Sequence, residues 1–335
     1  MLAESTYGAW FPPMLSEHGG EIDHLISVVH WFMLALFVGW GIFFVYCLVR
    51  FRQRGGHKAV YNPVKGKISK YVEIAVGVFE AFLLVGLSMP VWDWYKNEPP
   101  DAGADRCEIR VVGEQFQWNF HYPGPDGKFG RTDAALIDTA TNPLGIDWEN
   151  EDAKDDVFSQ EMHLPVGKDI YVRITSKDVI HSFAIPTMRV KQDSIPGMEI
   201  PVWFKVKKDA TTAKLKESMT QTYPIDKIKW RRIRHHVAVE DYQDRSGQVV
   251  LAKGAPLGNN LEQGEKLINT LRESGHTELV LQPANPLEVI CAQLCGNNHY
   301  TMKAQLITHE PADFDAWVQE MIEDRTAGSE MFEDF

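Results

Sequence analysis

Two long apolar runs at the start of the chain give way to short segments in which apolar and polar residues alternate. Ile26 to Val49 holds no charged side chain other than a protonatable His30. Its 24 residues would rise about 36 Å as a helix, which is enough to cross a hydrocarbon layer roughly 30 Å thick. Tyr71 to Tyr95 is a second apolar run, interrupted by three acidic residues. The pattern predicts a two-helix transmembrane hairpin over residues 25–96.

The segment between the two runs sets the predicted orientation of the hairpin. Arg50 to Lys70 contains seven Lys and Arg residues and no acid. Basic loops beside membrane spans stay on the cytoplasmic side. Residues 1–24 and everything from residue 97 onward are therefore predicted to face the other side. In a bacterium this means the inner membrane, in contact with lipid, with both ends in the periplasm. No secretory signal is visible, because the first 24 residues contain no Lys or Arg.

After residue 97, apolar alternation bounded by Gly, Pro and Asn predicts a series of short strands. The clearest are Cys107 to Val112, Gln115 to Tyr122, Asp169 to Thr175, Glu278 to Gln282 and Met302 to Thr308. Short strands of this kind are typical of an all-β sandwich or barrel. A closing helix is predicted over Pro311 to Asp324, because its apolar residues recur on one helical face.

Two stretches interrupt the strand pattern and are predicted to be insertions. Residues 123–160 are acidic and rich in turn residues, and residues 206–277 are long, polar and mixed in charge. The second insertion contains a basic segment, Lys227 to His236. Nucleic acid is not the expected partner of this segment, because the domain is predicted to be exported and acidic. A solvated helix or a contact with another subunit or donor fits better, since insertions on loops often serve partners.

Composition adds a charge asymmetry to this picture. The 335 residues include 46 Asp and Glu against 34 Lys and Arg, a net charge of −12. Residues 1–93 sum to about zero, so the excess acid lies outside the membrane, where it steers cationic partners or keeps the domain soluble. Four cysteines are too few for a disulfide framework. Cys47 and Cys107 are interpreted as structural thiols.

The other two cysteines lie in the short segment that carries most of the candidate chemistry. Its pattern is C-x3-C-x3-H-x2-M, formed by Cys291, Cys295, His299 and Met302, and His181 stands far upstream. Sulfur and imidazole donors select copper over hard cations. If each thiolate bridged two coppers, one electron would be shared and little geometry would change on transfer. The alternative is a tetrahedral zinc site made by two Cys and two His, and the methionine at this offset argues against it.

This pattern resembles the binuclear copper centre, CuA, of cytochrome c oxidase subunit II. The similarity covers the hairpin and residues 107–122, 161–204 and 278–309, including the motifs HLPVGK, DVIHSFAIP and DSIPG. The resemblance implies a cupredoxin, which is a Greek-key β-sandwich that holds metal in loops at one end. It implies six copper ligands: His181, Cys291, the backbone carbonyl of Gln293, Cys295, His299 and Met302. In the family, the methionine is a weak axial ligand to the copper bound by the upstream histidine, and the carbonyl serves the other copper.

The chain departs from the family pattern at two positions near the site. The residue midway between the cysteines is often Glu, whose side chain helps hold magnesium at the boundary with subunit I, and here it is Gln293. A neutral amide is a weaker ligand for a hard cation, so the resemblance leaves magnesium open. The family segment Gly-x-Gln-Trp-x-Trp receives electrons at its first Trp. Here Phe116 stands at that position and Trp118 is retained, although strand packing would explain Trp118 equally well.

The resemblance implies subunit II of a copper–haem terminal oxidase, the electron-transfer part of an enzyme. Such a subunit takes electrons from a c-type cytochrome and passes them to haem in subunit I, where oxygen is reduced to water and protons are translocated. No catalytic residue is expected in this chain, and its sequence has no C-x-x-C-H motif for an attached haem. Expected partners are subunit I, other oxidase subunits and a c-type donor. Phe116 and the long insertion favour a donor fixed in a supercomplex.

Two acids in the second apolar run are candidates for a proton path. Glu73 matches the family's carboxylate at the cytoplasmic mouth of a path that continues in subunit I, or it is an interfacial acid beside Lys70. Glu80 lies seven residues further along, on the same helical face. The family pattern gives no reason to expect it, and a proton relay or a buried partner of subunit I would each explain it.

Three other functions stay open at this point. A quinol oxidase subunit II keeps this fold but lacks copper, and the intact ligand set argues against it. The CuA module of a nitrous-oxide reductase generally lacks a paired-helix anchor. A structural assembly subunit with a relic zinc loop would be separated from the others by its metal content.

Overall fold

The computed structural model describes residues 11–56, 58, 61, 66–97, 99–101 and 106–333, with side chains through residue 327. Parts of the predicted N-terminal segment and of the basic loop lie outside the described residues, as do the last two residues. Residues 18–99, with part of the N-terminal segment, form one compact unit. Residues from 100 onward form another, together with Leu15–Glu17.

The first unit contains both predicted spans as helices. Its elements are α1 (Gly19–Phe51), α2 (Ile68–Phe82), a π-helical turn (Leu83–Ser88) and α3 (Met89–Asn97). The helices Gly19–Phe51 and Ile68–Asn97 are 33 and 30 residues long and apolar enough to cross a membrane. Each is longer than its apolar run, because backbone hydrogen bonding continues into the polar flanks. Phe32 and Phe79 meet at 4.7 Å between ring centroids, which joins the two helices as a hairpin.

The second unit is rich in short strands. They are β1 (Arg106–Glu114), β2 (Gln117–Tyr122), β3 (Val157–Ser159), β4 (Met162–Pro165), β5 (Asp169–Ser176), β6 (His181–Ile185), β7 (Val190–Ser194), β8 (Ile200–Lys205), β9 (Gln221–Pro224), β10 (His236–Ala238), β11 (Tyr242–Gln243), β12 (Val249–Leu251), β13 (Glu278–Pro283), β14 (Glu288–Cys291) and β15 (Lys303–His309). The helices are α4 (Thr212–Ser218), α5 (Trp230–Ile233), α6 (Leu261–Glu273) and α7 (Pro311–Glu333).

Ten of these strands build the predicted β-sandwich. One sheet has the order β3-β2-β1-β5-β8 and the other β4-β15-β14-β6-β7. Alternate residues of β5, including Ile170, Val172 and Ile174, are fully buried. This period of two places one face of the sheet in the core. β1 approaches β6 and β2 approaches β15, so the two sheets face each other. The fold class is therefore confirmed: two apolar helices followed by a β-sandwich.

Residues 206–277 fold around a hydrophobic core of their own. β10, β13 and β9 form a three-stranded sheet, with α5 and α6 contributing to the same core. The Asn260 side chain caps α6 by accepting a hydrogen bond from the Gln263 N–H at 2.9 Å. β13 pairs on both edges with strands from inside the insertion. The strand predicted at Glu278 to Gln282 therefore belongs to this subdomain and not to the sandwich, and the insertion extends through Pro283.

The other insertion, residues 123–160, is held by the closing helix. Leu144, Ile146 and Ala153 form a small core in this segment. Arg325 of α7 lies over the Trp148 ring, 4.3 Å from its centroid, and donates to the carbonyls of Ala153 and Lys154. α7 is longer than predicted, running to Glu333. Arg325, one residue beyond the predicted end of this helix, thus contacts the acidic, turn-rich loop.

Candidate metal centre

The candidate ligands come from two neighbouring strands and the loop that leaves one of them. His181 is the first residue of β6, and Cys291 is the last residue of β14. The two strands are paired with Cys291 opposite Phe183, and the Ala292 N–H donates to the Ser182 carbonyl at 2.9 Å. The loop then runs to Met302, where β15 begins its return beside β14. Sheet pairing thus brings together residues that are 110 positions apart in the sequence.

All six predicted donor atoms converge at this point. The Sγ atoms of Cys291 and Cys295 are 3.9 Å apart. His181 Nδ1 lies 4.0 Å from Cys291 Sγ, and His299 Nδ1 lies 3.5 Å from Cys295 Sγ. Met302 Sδ is 3.7 Å from Cys295 Sγ, and the Gln293 carbonyl oxygen is 3.1 Å from Cys291 Sγ. The ligand atoms of His181, Cys291 and Cys295 are all buried and lie within 4.8 Å of one another.

A carboxylate fixes the orientation of the upstream histidine. Asp178 Oδ1 lies 2.8 Å from His181 Nε2, which leaves Nδ1 facing the sulfurs. Asp178 also accepts hydrogen bonds from the N–H groups of Val179 at 2.6 Å and Gln115 at 2.8 Å. Partial burial opposes ionisation, but these hydrogen bonds outweigh it and lower the pKa of Asp178. Carboxylates in this position fix the tautomer of a metal-binding imidazole and raise its basicity.

The thiols are chemically suited to a soft cation. All four cysteines of the chain are free. Burial, together with the neighbouring Cys291, raises the pKa of Cys295 to about 11. A bound cation would supply the charge that draws both protons off, so metal binding at this site releases protons. A tetrahedral zinc site would use only four donors, leaving Met302 and the Gln293 carbonyl unused. The six donors together fit soft, thiolate-bridged copper.

Of the two aromatic residues predicted to receive electrons, Phe116 lies in the β1–β2 turn and Trp118 lies in β2. Trp118 is buried, with its ring edge-to-face with His181 at 6.0 Å. Phe116 is half-buried, and a Cβ placed on Gly296 of the cysteine loop would lie 3.0 Å from its ring. A Cβ on Gly113 would lie 2.9 Å from the His181 ring, so only glycine fits beneath this imidazole. Both aromatic residues therefore adjoin the site, and their role in electron transfer stays a prediction.

Two residues that lie beside the candidate ligands were not predicted from the sequence to be part of the site. Asp178 stands three positions before His181, and Gln115 sits between Gly113 and Phe116. Their only sequence signal was membership of the motifs that carry the resemblance. Three exposed apolar residues adjoin the candidate ligands in the sequence: Leu294 and Tyr300 are each 76% exposed, and Ile180 is 47% exposed.

The two membrane acids lie on α2, as their spacing predicted. Glu73 accepts a hydrogen bond from Ser69 Oγ at 3.3 Å. Glu80 lies two helical turns further, and both side chains are exposed in this chain. Their assignment to a proton path stays a prediction.

Comparison with known proteins shows which proteins this chain is similar to. The sequence model described as cytochrome c oxidase subunit II, periplasmic domain, matches residues 107–213. An alternative cytochrome c oxidase subunit 2 of Bradyrhizobium diazoefficiens is 26% identical over 316 residues, 94% of this chain and 85% of the relative. Cytochrome c oxidase subunit 2 of Cereibacter sphaeroides is 24% identical over 217 residues, 60% of this chain and 68% of the relative.

One similar solved structure is a crystal structure of the periplasmic domain of subunit II of a cytochrome oxidase, from Bradyrhizobium japonicum. It covers 67% of this chain and 97% of its own, with 21% identity and a TM-score of 0.32.

Proposed function

We propose that this chain is the electron-accepting subunit of a copper–haem terminal oxidase. The proposal is supported by the match of residues 107–213 to the periplasmic domain of cytochrome c oxidase subunit II. The observation that carries the proposal is the convergence of two thiols, two imidazole Nδ1 atoms, a thioether and a carbonyl within one buried site. These donors match, one for one, the set that a binuclear CuA centre requires. Magnesium is left out of the proposal, because Gln293 offers only a neutral amide side chain.

The residues of this chain supply the framework for one-electron transfer. Copper bound here would accept and release single electrons. The chain would hold it through two thiolates, two imidazoles, a thioether and a backbone carbonyl, offered by Cys291, Cys295, His181, His299, Met302 and Gln293. Burial of Cys291, Cys295 and Met302 keeps water from the sulfurs. Because β6 and β14 fix His181 and Cys291 before metal arrives, little structural change is needed at these two donors when the charge of the site changes.

Electrons are proposed to arrive from a c-type cytochrome and to leave for haem in subunit I. Oxygen reduction and proton translocation would then occur in subunit I. The apolar rim formed by Leu294, Tyr300 and Ile180 suits docking beside the site, since interface centres are depleted of charge. Phe116 lies in contact distance of the cysteine loop and takes the place of the family's first Trp.

Replacing Phe116 by alanine is expected to slow electron transfer from the native donor several-fold, because it removes an aromatic ring beside the cysteine loop. Stopped-flow reduction of the full-length, copper-loaded chain measures this directly. Phe129→Ala is the matched control, because Phe129 packs on Arg110 and His121 away from the site. An unchanged rate in Phe116→Ala would contradict a role for this ring.

We place the basic loop in the cytoplasm and the β-sandwich in the periplasm. The supporting observation is the concentration of Lys and Arg between the two helices. A cysteine introduced at the exposed Arg54, in a chain with Cys47 replaced, should add labelling by a membrane-impermeant thiol reagent, above that of the same chain without it, only in inverted vesicles. Added labelling in intact spheroplasts would reverse the proposed orientation.

The insertion is proposed to bind another oxidase subunit or the donor. A groove of about 650 Å³ lies between α5 and α6, with Ile228, Trp230 and Ile268 on its apolar side. Arg231 and Arg232 line the same groove, and both are exposed. Their charges oppose the acidic character of the rest of the chain, so an acidic partner surface complements this groove.

Reversing both charges, with Arg231→Glu and Arg232→Glu, is expected to weaken the association of this chain with its complex in a salt-dependent way. Co-purification of the oxidase subunits and turnover with the native donor report the effect. The double variant Arg245→Glu with Lys253→Glu is the control, since it makes the same charge change at two exposed basic residues of the same subdomain. Normal assembly and turnover in the double variant, or after deletion of the insertion, would sink this proposal.

A further inference from the structure

Gln115 joins two parts of the metal centre that are far apart in the sequence. It lies in the turn between β1 and β2. Its backbone N–H donates to Asp178 Oδ2 at 2.8 Å, and Asp178 Oδ1 holds His181. Its side-chain Nε2 donates to the Cys295 carbonyl at 2.5 Å. One residue therefore contacts both the support of the upstream histidine and the loop of the second cysteine.

The two cysteines are held in place by different means. Cys291 is part of β14, so ladder pairing with β6 fixes it relative to His181. Cys295 lies beyond the end of β14, in a loop with no strand partner of its own. Within the described part of the chain, the bond from Gln115 is the one hydrogen bond that links the β1–β2 turn to this loop. Gln115 therefore supports the position of Cys295 relative to His181 where no strand partner does.

Close packing confirms that the turn and the loop touch. Gly296, directly after Cys295, has a φ of +144°, a conformation that L side chains rarely adopt. A Cβ at this position would lie 2.8 Å from Gln115 Nε2. Gln115 and Phe116 occupy the space that a side chain at position 296 would fill, so the cysteine loop packs directly against the turn.

The turn itself is anchored to the segment that precedes His181. The Gly113 carbonyl accepts from the Lys177 N–H at 3.0 Å, and Lys177 Nζ pairs with Glu114 at 2.6 Å. With the bond from Gln115 to Asp178, the last two residues of β1 and the first residue of the turn hold two consecutive residues of the other segment. Gln115 is therefore a side chain projecting from a fixed base.

We infer that Gln115 is a positioning residue for the metal centre, which sets the spacing between Cys295 and the His181–Cys291 pair. The inference rests on the proposed function, because it concerns the same copper site. Equal sharing of one electron requires both thiolates to bridge both metals alike. A residue that fixes Cys295 against the other donors would control this equality without touching the metals.

The test uses the full-length chain in detergent, loaded with copper, and the variant Gln115→Met. Methionine keeps the approximate length of the side chain but removes the N–H donor, while the backbone bond to Asp178 remains. We expect copper affinity to fall about tenfold to a hundredfold, as is usual when a partner of a metal ligand is lost. We also expect the hyperfine pattern of the remaining bound copper to lose its even sharing between two nuclei. The thermal midpoint of the metal-free protein should match the wild type, which separates positioning from a general loss of fold.

Gln117→Ala is the matched control, because Gln117 donates to Glu114 and accepts from Gln160 without reaching the cysteine loop. It should bind copper as the wild type does. If Gln115→Met does not fold, Gln115→Glu removes the same donor with almost the same shape. Wild-type affinity and hyperfine pattern in these variants would overturn the inference and leave the proposed function standing. Failure of the wild type itself to hold two coppers would overturn the proposed function, and the inference with it.

Discussion

Replacing Cys295 by serine should reduce copper binding from two ions per chain to at most one and abolish electron acceptance from the donor. The serine hydroxyl is a hard oxygen that stays protonated near neutral pH, so it cannot bridge two soft metals. His299 and Met302 both lie within 4 Å of Cys295 Sγ, so this change also removes the atom around which they are arranged. Metal analysis of the full-length chain gives the number of coppers per chain, and spectroscopy measures electron acceptance from the donor.

Cys107→Ser provides the control for Cys295→Ser. Cys107 is a free, half-buried thiol in β1, and it is not among the converging donors. Two coppers per chain should remain after this substitution. A Cys295→Ser variant that still held two coppers, with one electron shared between them, would contradict the ligand assignment.

Gly264→Ala should unfold or strongly loosen the insertion without disturbing the copper site. A Cβ at position 264 would lie 1.8 Å from the Trp230 ring, whose indole N–H donates to the Leu257 carbonyl at 2.8 Å. The indole cannot stay in place, so overpacking of about 1–3 kcal/mol is expected. In an unhindered helix the same substitution stabilises by roughly 0.5–1 kcal/mol, so the sign of the effect is itself diagnostic. Thermal unfolding and limited proteolysis of residues 206–283 measure it.

Gly77→Ala serves as the comparison for Gly264→Ala, since the added Cβ would meet nothing within 4 Å. Because the insertion has its own core, the spectrum of bound copper should be unchanged in Gly264→Ala. Loss of copper together with loss of the insertion would show that the two parts depend on each other. In that case the charge-reversal experiment at Arg231 and Arg232 could not be interpreted as a partner effect alone.

The candidate ligands could be proposed because their chemistry is local in the sequence. Five of the six fall within twelve residues, and the spacing of the four side-chain donors among them restricts the metal. The two helices and most strands followed from apolar periodicity, which needs no knowledge of long-range contacts. Helix ends were less accurate, because polar flanks extend a helix without changing its apolar run. Gln115 to Tyr122 was predicted as one strand, but β2 begins at Gln117 because the turn occupies the two residues before it.

Contacts between residues that are far apart in the sequence could not be predicted from it. Gln115 meets Asp178, 63 positions away, and Cys295, 180 positions away. No periodic pattern encodes such contacts. β13 has the alternation of a sandwich strand, yet it joins the insertion because β9 and β10 offer it two open edges there. The strand was predicted correctly, but the sheet to which it belongs depends on which strands pair with its edges.

This chain is proposed to hold a binuclear copper centre. An electron paramagnetic resonance spectrum of the copper-loaded, full-length chain in detergent tests this most directly. One unpaired electron shared equally by two copper nuclei of spin 3/2 gives seven hyperfine lines. For the proposed copper centre we expect those seven lines together with two coppers per chain. Four lines from a single localised copper, or a folded protein that takes up no copper, would contradict it.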